Sequence, residues 1–234
     1  MGPIYQFAPE TTCSAISSIE FPDPGQLRSR RIVTRSRARA TGKYPSWKMG
    51  RMLQWESVNE LLAFRLLDCD PEVKRFNEQP CEIVYVQDGV THSHIPDILV
   101  EMDGLKQLWA VKPESEALRP AIAARSALLA KHLPRWGYSY RVVVGQDLAK
   151  QPRLSNASML LCFGRAAVTE RNQEFIRLIL RCQNSLLWSE ACSGAYGPKG
   201  REILCGLALR GLLTIDMSAP WSPSTRFSPG KEGI

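Results

Sequence analysis

The sequence predicts an α/β protein with helices flanking a mixed sheet, followed by a small helical domain. Residues 82–112 contain three segments with the two-residue periodicity of strands. Residues 114–133 have a helical pattern and lead into a fourth apolar strand at 138–145, as in a crossover connection. After about residue 169 the pattern changes to three short helices and a strand pair. These three observations indicate the fold class.

The N-terminal part is strongly basic. The chain of 234 residues has a net charge of +7, and residues 24–55 hold nine Lys or Arg residues and no acid. Such a segment attracts polyanions, and each phosphate neutralised steepens the log-log salt dependence of binding by about 0.9. The alternative is a solvated, partly disordered basic tail. The candidate DNA-binding residues are Arg28, Arg30, Arg31, Arg35, Arg37, Arg39, Lys43 and Lys48.

The composition favours a soluble, cytoplasmic protein. No apolar run approaches the roughly 18 to 20 residues that cross a bilayer, and the first residues lack the pattern of a secretory leader. The seven cysteines are scattered, without a Cys-x-x-Cys pair. This arrangement suits a reducing compartment and argues against a disulfide framework or a structural zinc site.

The first half begins with an arm and a helix. Residues 1–27 are rich in proline, and we expect an irregular arm that orders only against a partner. Residues 49–68 have apolar side chains at steps of three and four, which predicts a helix that ends before Pro71. Glu56 and Glu60 lie one turn apart on this helix.

The strands are expected to form a meander. The segments "EIVYVQ", "SHIPDILVEM" and "KQLWAVK" predict three antiparallel strands, with turns at "QDG" and "DG". Pro113 ends the third strand, and the helix at 114–133 has Pro120 as a possible kink. The strand "YSYRVVVG" should then lie parallel to the third strand. A partly helical segment up to about residue 168 closes this domain.

The C-terminal pattern is typical of a winged-helix variant of the helix-turn-helix motif. Some proteins use that topology for DNA and others for protein contacts, so the fold does not decide the use. We therefore predict a basic N-terminal arm (1–48), an α/β domain (49–168) and a small winged-helix-like domain (169–234).

Asp97 and Lys112 are candidates for metal-dependent phosphodiester hydrolysis. Asp97 follows a proline on one predicted strand, Lys112 ends the next, and the turn at 103–104 can bring them level. Glu60 can supply a second carboxylate for Mg²⁺, which stabilises charge on phosphoryl oxygens and helps to activate a water. Lys112 would orient that water or stabilise the developing charge. Spacing alone does not distinguish this site from ordinary surface positions. Asp97 can be a turn or strand-end aspartate, Lys112 a solvated lysine at a strand end, and Glu60 part of the polar face of an amphipathic helix.

A longer run of motifs carries a family resemblance. The segments "WESVNELLAFRLLDCDPEVKRFNEQP", "HIPDILV" and "WAVKP" occur in this order, with short gaps, after the upstream "TRSRARATGKYPSWKMGRM". Together they resemble the N-terminal domain of TnsA, the endonuclease subunit of heteromeric cut-and-paste transposases. The resemblance covers about residues 30–150, and the C-terminal stretch agrees with the architecture of that family.

The resemblance implies a restriction-endonuclease-like fold and a site with assigned residues. Glu60 and Asp97 match the metal ligands, Lys112 matches the catalytic lysine, and Gln79 is structural. The main-chain carbonyl of Val111 on the third strand is a further candidate ligand. The metal would be Mg²⁺, for which Mn²⁺ can substitute. The implied function is cleavage of the 5′ strands at transposon ends, with an integrase-type transposase subunit and an AAA+ ATPase regulator as partners in the bacterial cytoplasm.

Ala110 departs from the family pattern, which has Gln or Glu two residues before the lysine. A methyl group cannot coordinate a metal or bind a water, so one contact is missing. Three explanations are open: a substitution introduced to stop cleavage, a natural enzyme that cuts with the remaining ligands and extra waters, or a domain that has lost activity. The alternative function is thus a catalytically inactive DNA-binding and assembly factor, and a third is an unrelated repair or phage nuclease.

Other polar residues are alternatives for the same site. Glu56 is the alternative to Glu60 on the helix, and Glu114 is a replacement acid that more simply caps the next helix. His92 and His94 share a strand face, as zinc ligands can, but no third ligand is evident.

Overall fold

The computed structural model describes residues 4–5, 15–29 and 40–231. The chain divides into two compact units by its contacts: Met1–Ala63 with Val73–Leu148, and Phe64–Glu72 with Ala149–Ile234. This division falls after Leu148, twenty residues before the predicted limit at 168, and the predicted domain limits stay a prediction. Within the described residues, no helix is long and apolar enough to cross a membrane.

The first unit alternates strands with short helices. Its elements in chain order are β1 (Ile4–Tyr5), β2 (Ile16–Glu20), β3 (Gly42–Ser46), β4 (Arg51–Trp55), α1 (Val58–Cys69, which continues into the second unit), β5 (Arg75–Glu78), β6 (Glu82–Gln87), β7 (Val90–His94), β8 (Ile98–Met102), β9 (Leu105–Lys112), α2 (Glu114–Ala117), α3 (Pro120–His132), a 3-10 turn (Leu133–Trp136), β10 (Ser139–Val144) and α4 (Gly145–Leu148).

Two four-stranded sheets organise this unit. One is antiparallel, in the order β1-β2-β6-β7, and the other has the order β10-β9-β8-β5. In the second sheet β10 lies parallel to β9, as the crossover helix predicted, and the remaining pairs are antiparallel. The mixed α/β sheet flanked by helices is consistent with a restriction-endonuclease-like fold.

A hydrophobic cluster joins the two sheets and α3. Ile83 and Tyr85 come from β6, Leu108 from β9, and Leu129 from α3, and all four are buried. Alternation along each strand turns these side chains to one face, because successive residues of a strand point to opposite sides. The cluster therefore fixes α3 on the face of the mixed sheet that also carries Ala110.

The predicted helix at 49–68 is wrong over nearly its first half, residues 49–57. Residues 51–55 are strand β4, which pairs antiparallel with β3, and α1 begins at Val58. Gly50, with φ of 61°, ends the turn that joins the two strands. The apolar spacing in this segment fits both the helical and the strand period. In the structure Leu53 is buried and Met52 is exposed, on opposite faces of β4, as expected for a strand.

The predicted three-stranded meander is also wrong in its middle strand. The segment expected as one strand is two, because β7 ends at His94 and β8 begins at Ile98 in the other sheet. Pro96, which has no N–H to donate to a ladder, lies in this break. Asp97 thus stands at the point where the chain passes from one sheet to the other.

Two further expectations need correction. The arm at 1–27 is not irregular throughout, because β2 pairs with β6 and buries Ile16 and Ile19. The helix expected at 114–133 is divided, since α3 starts at Pro120, where the missing N–H of proline costs nothing. The strand β5 was not predicted.

The second unit is mainly helical. Its further elements are α5 (Arg153–Gly164), α6 (Glu170–Leu180), β11 (Leu186–Leu187), α7 (Trp188–Ser193), α8 (Gly200–Leu209), β12 (Leu213–Thr214) and β13 (Arg226–Pro229). The strands form a small antiparallel sheet in the order β11-β13-β12. Gly164 allows close packing of α5 on α8, since a Cβ there would lie 2.7 Å from the backbone of Cys205. Residues 203–209 of α8 are buried, so this helix forms the core of the unit.

Candidate active site

Asp97 and Lys112 lie side by side at the ends of β8 and β9. Ile98 is opposite Trp109 in this antiparallel pair, which places Asp97 opposite Ala110 and on the same face as Lys112. Lys112 Nζ donates to Asp97 Oδ2 over 3.2 Å. The backbone N–H of Val111 donates to the same oxygen over 2.7 Å. The strands bring the two side chains together as the sequence pattern predicted, while their roles stay predictions.

The position of Asp97 is fixed through its backbone as well. Its N–H donates to the carbonyl of Trp109, and its own carbonyl accepts from the N–H of Gln79, each over 2.9 Å. Burial raises the pKa of the Asp97 carboxyl, and the opposing effects of Lys112 and the Val111 N–H only partly offset it. Both side-chain bonds go to Oδ2, and neither donor bonds to Oδ1.

Glu60 comes to the same site from the first turn of α1. Its side chain is 6% exposed. One carboxylate oxygen accepts from the Ser57 hydroxyl and the other from the Glu56 N–H, each over 2.8 Å. The pKa of Glu60 is raised to about 7, first by burial and then by the negative charge of Asp97. The carboxyl groups of Glu60 and Asp97 are therefore close enough to repel each other in surroundings with little water.

Glu56 and Gln79 form the adjoining part of the site. Gln79 Nε2 donates to Glu56 Oε2 over 3.3 Å, and the left-handed backbone of Gln79, with φ of 43°, directs its N–H to Asp97. The charge of Glu56 adds to the raised pKa of both Asp97 and Glu60. Gln79 thus supports the position of Asp97, in line with the structural role expected for it.

Ala110 occupies the position where a further ligand was expected. It is fully buried, and its methyl group belongs to the hydrophobic cluster that includes Leu108 and Leu129. On this face β9 presents Lys106, Leu108, Ala110 and Lys112 in turn, so Lys112 is the polar residue of β9 at the end next to Asp97. The side chain at 110 adds packing and no donor or acceptor.

Sequence reasoning missed a buried polar pair beside this site. The hydroxyl of Tyr140 on β10 and Nε2 of His94 on β7 are 3.0 Å apart, and both residues are buried. Burial, with the positive charges of Arg125 and Lys112, lowers the pKa of His94 to about 3, so its ring is neutral at pH 7. The strand-face pattern of His92 and His94 gave no sign of this partner, because Tyr140 is 46 residues away.

The described part of the basic segment is only partly available for DNA. Lys48 Nζ donates to the carbonyl of Val73 over 2.7 Å, and Arg28 Nε lies 3.8 Å from the buried carboxylate of Glu78. Lys43 is exposed on β3. The remaining candidates lie outside the described residues: Arg30, Arg31, Arg35, Arg37 and Arg39.

The carboxylates fit a magnesium ion that keeps most of its waters. Over residues 4–5, 15–29 and 40–231, no group of three or more His, Cys, Asp or Glu side chains is arranged to hold a metal. Mg²⁺ commonly uses only one or two carboxylates and retains several waters. Glu60 and Asp97, with the carbonyl of Val111, would be its protein ligands, and its charge would oppose both the burial and the repulsion from Asp97 that raise the pKa of Glu60.

Comparison with known proteins identifies one part of the chain. Residues 70–145, about a third of its length, match the family described as TnsA-like endonuclease N terminal. The matched range contains Asp97, Ala110 and Lys112, while Glu60 precedes it. No curated protein matches the chain.

Proposed function

We propose that this chain, whose residues 70–145 are a TnsA-like endonuclease N-terminal domain, is a DNA endonuclease subunit of a transposase. It hydrolyses the 5′ strands at transposon ends during excision, with Mg²⁺ as the metal and Mn²⁺ as a substitute. The observation that carries the proposal is the hydrogen bond between Lys112 and Asp97 on adjacent strands of the matched domain. Glu60 is close enough for the charge of Asp97 to raise its pKa further, beyond the effect of burial.

Each side chain has a separate task in this proposal. Glu60, Asp97 and the Val111 carbonyl would hold the metal, and the metal would supply positive charge to the phosphoryl oxygens and the attacking water. Lys112, held by Asp97, orients that water and stabilises the negative charge on the phosphate. Burial strengthens these interactions because little water screens the charges.

The basic segment supports DNA binding at this site. The N–H of Ser29, which immediately precedes the basic residues 30–39, donates to the carbonyl of Gln79 over 3.0 Å. The N–H of Gln79 in turn donates to the carbonyl of Asp97, so two hydrogen bonds link Ser29 to the proposed metal ligand. The cations of this segment would attract the phosphate backbone of DNA.

The proposed partners are an integrase-type transposase subunit, which cuts the 3′ strands, and an AAA+ ATPase regulator. The second unit supports the winged-helix-like interpretation through its order of elements, with α6, β11, α7 and α8 followed by β12 and β13. Since α8 is buried in its core, the contacts of this domain would come from other surfaces.

Ala110 favours a second candidate, a catalytically inactive DNA-binding and assembly factor of the transposition complex. The methyl group is packed in the hydrophobic cluster and leaves β9 without a ligand between Leu108 and Lys112. In this alternative Glu60, Asp97 and Lys112 keep the domain and its DNA surface in shape without cutting.

The two candidates are separated by measuring cleavage by the unchanged chain, which cuts only under the first candidate, beside a variant that restores the missing group. Ala110→Gln, mixed with the transposase partner and transposon-end DNA in Mg²⁺, should nick the 5′ strand. Ala110→Met, which has a similar volume but no carboxamide, is the matched control for packing. Adding Asp97→Asn, which keeps an acceptor for the Val111 N–H, should abolish the nick. Absence of cleavage by a folded Ala110→Gln protein contradicts the catalytic proposal.

A further inference from the structure

Asn59 lies next to Glu60 in the first turn of α1, and its side chain packs on the glycine that begins α4. That glycine, Gly145, is buried and directly follows Val144, which is opposite Lys112 in the parallel pair of β9 and β10. Parallel neighbours end at the same end of a sheet, so the chain leaves β10 beside Lys112. The side chain of Asn59 is therefore at the end of the mixed sheet that carries the candidate active site.

The packing of Asn59 leaves no room for a side chain at position 145. A Cβ there would overlap Nδ2, Cγ and Oδ1 of Asn59, so the amide rests directly on the backbone of Gly145. The φ of Gly145 is not positive, and its backbone conformation would therefore accept an alanine. The close approach of the amide is thus the reason for a glycine here.

The amide of Asn59 is held in place although the fold does not use its polar atoms. Within residues 4–5, 15–29 and 40–231 it has no hydrogen-bond partner, and neither of its polar atoms is fully buried. The carboxamide of Gln146, one residue after the glycine, differs in this respect, because its Oε1 accepts from the N–H of Glu114 over 3.1 Å. Restricting a side chain to one orientation costs conformational entropy, and no hydrogen bond offsets that cost for Asn59. Its amide is thus oriented and open to a group that binds at this end of the sheet.

A DNA phosphate fits this amide. Asparagine side chains are among the common donors to phosphate oxygens in protein–DNA complexes. The amide is one residue from Glu60, whose carboxylate oxygens already accept from the Ser57 hydroxyl and the Glu56 N–H. A neutral donor beside these acids can bind an anion without an ion pair to any of them, unlike Lys112, which is paired with Asp97.

We infer that Asn59 donates from Nδ2 to a phosphate of the DNA strand in this site, and that Gly145 holds the amide in the orientation for this contact. The inference rests on the proposed nuclease function and adds a substrate-binding residue and a positioning residue to it. Because the amide is neutral, its contact adds affinity and leaves the salt dependence to the cations of the protein.

The test compares four forms of the full chain: wild type, Asn59→Ala, Gly145→Ala and the double variant. Each is titrated with a short DNA duplex in Ca²⁺ in place of Mg²⁺, so that binding proceeds without cleavage. Asn59→Ala should bind about tenfold more weakly, as for one hydrogen bond to a charged group, with an unchanged salt slope. Gly145→Ala should lose a similar factor because its methyl group displaces the amide. In the double variant the second change should add no further loss, since no amide is left to displace.

Val58→Ala changes an exposed side chain of the same helical turn and is the matched control, which should bind the duplex as wild type does. Stabilisation by Mg²⁺ without DNA, measured by urea unfolding, should be equal in Asn59→Ala and wild type, because the amide binds phosphate and not the metal. Wild-type affinity for the duplex in Asn59→Ala overturns the inference, and so does a loss of Mg²⁺ stabilisation. Additive losses in the double variant overturn the role of Gly145.

A second measurement observes the amide itself. In the full chain labelled with ¹⁵N, the Nδ2 resonances of Asn59 are assigned by their loss in Asn59→Asp, which keeps the shape of the side chain. They should shift in a saturable way as the duplex is added. If they stay in place while other resonances shift, the inference is overturned, whatever the alanine variants do.

Failure of the inference is distinct from failure of the proposed function. A shifted Asn59 resonance without cleavage by Ala110→Gln leaves the phosphate contact standing and contradicts the nuclease. Cleavage by Ala110→Gln with an unmoved Asn59 resonance does the reverse. A wild-type chain that does not bind the duplex overturns the inference, while cleavage in the presence of the transposase partner still decides the proposed function.

Discussion

Replacing Glu60 with Gln should remove a large pH dependence from the stability of the metal-free protein. The folded-state pKa of Glu60 is about 7, against 4.5 in a model peptide. A raised pKa contributes stability that is complete below 4.5 and is lost as the pH rises through 7. At about 1.4 kcal/mol per pKa unit, the loss between pH 5 and pH 8 is about 2.5 kcal/mol. The group is buried, so solvent screening does not reduce this figure greatly.

The assay is urea unfolding of the full chain in a chelator at pH 5 and pH 8. The wild-type protein should lose about 2.5 kcal/mol more of its unfolding free energy than Glu60→Gln over this interval. Glu114→Gln, a change of an exposed acid in α2, is the control and should behave as wild type. Mg²⁺ added at pH 8 should stabilise the wild type more than Glu60→Gln, because it binds the ionised carboxylate. An equal pH dependence in wild type and Glu60→Gln would refute the argument from burial and repulsion.

Three other outcomes are expected. Arg51→Ala should destabilise the first unit by about 3 kcal/mol, because it removes both hydrogen bonds, at 3.0 and 2.7 Å, that Arg51 donates to the buried carboxylate of Glu78. Thermal unfolding measures this loss, with Arg51→Lys as the comparison. Tyr140→Phe should cost about 1 to 3 kcal/mol by leaving His94 Nε2 buried without its partner, and an unchanged melting temperature would contradict the bond. Alanine at three arm residues should weaken duplex binding and flatten its salt slope, whereas an unchanged slope would make the arm a solvated tail. These residues are Arg35, Arg37 and Arg39.

The sequence predicted correctly that Asp97 and Lys112 come together, because their contact is local. A proline, an aspartate and a two-residue turn determine which strand residues face each other, so the meeting of Asp97 and Lys112 follows from spacing. The break of the strand at Pro96 was missed because the apolar pattern continues through it. The α1 prediction began too early because β4 has an apolar spacing that also fits a helix.

The residues that were missed depend on distant parts of the chain. Tyr140 and His94 meet only after β10 has been laid beside β9 through α3. In the sequence Tyr140 is one aromatic residue of an apolar strand. The polar contact of the pair comes from tertiary packing, which the periodicity of a sequence does not contain.

The turn between β8 and β9 has a consequence for related sequences. Asp103 and Gly104, with φ of 68° at the glycine, are the two residues that join Met102 to Leu105. Adding or deleting one residue here would shift β9 by one position against β8 and turn Lys112 to the opposite face of the sheet. The length of this turn therefore decides whether the aspartate and the lysine lie on the same face of the sheet. In a divergent relative, the number of residues between them is as informative about this site as their identities.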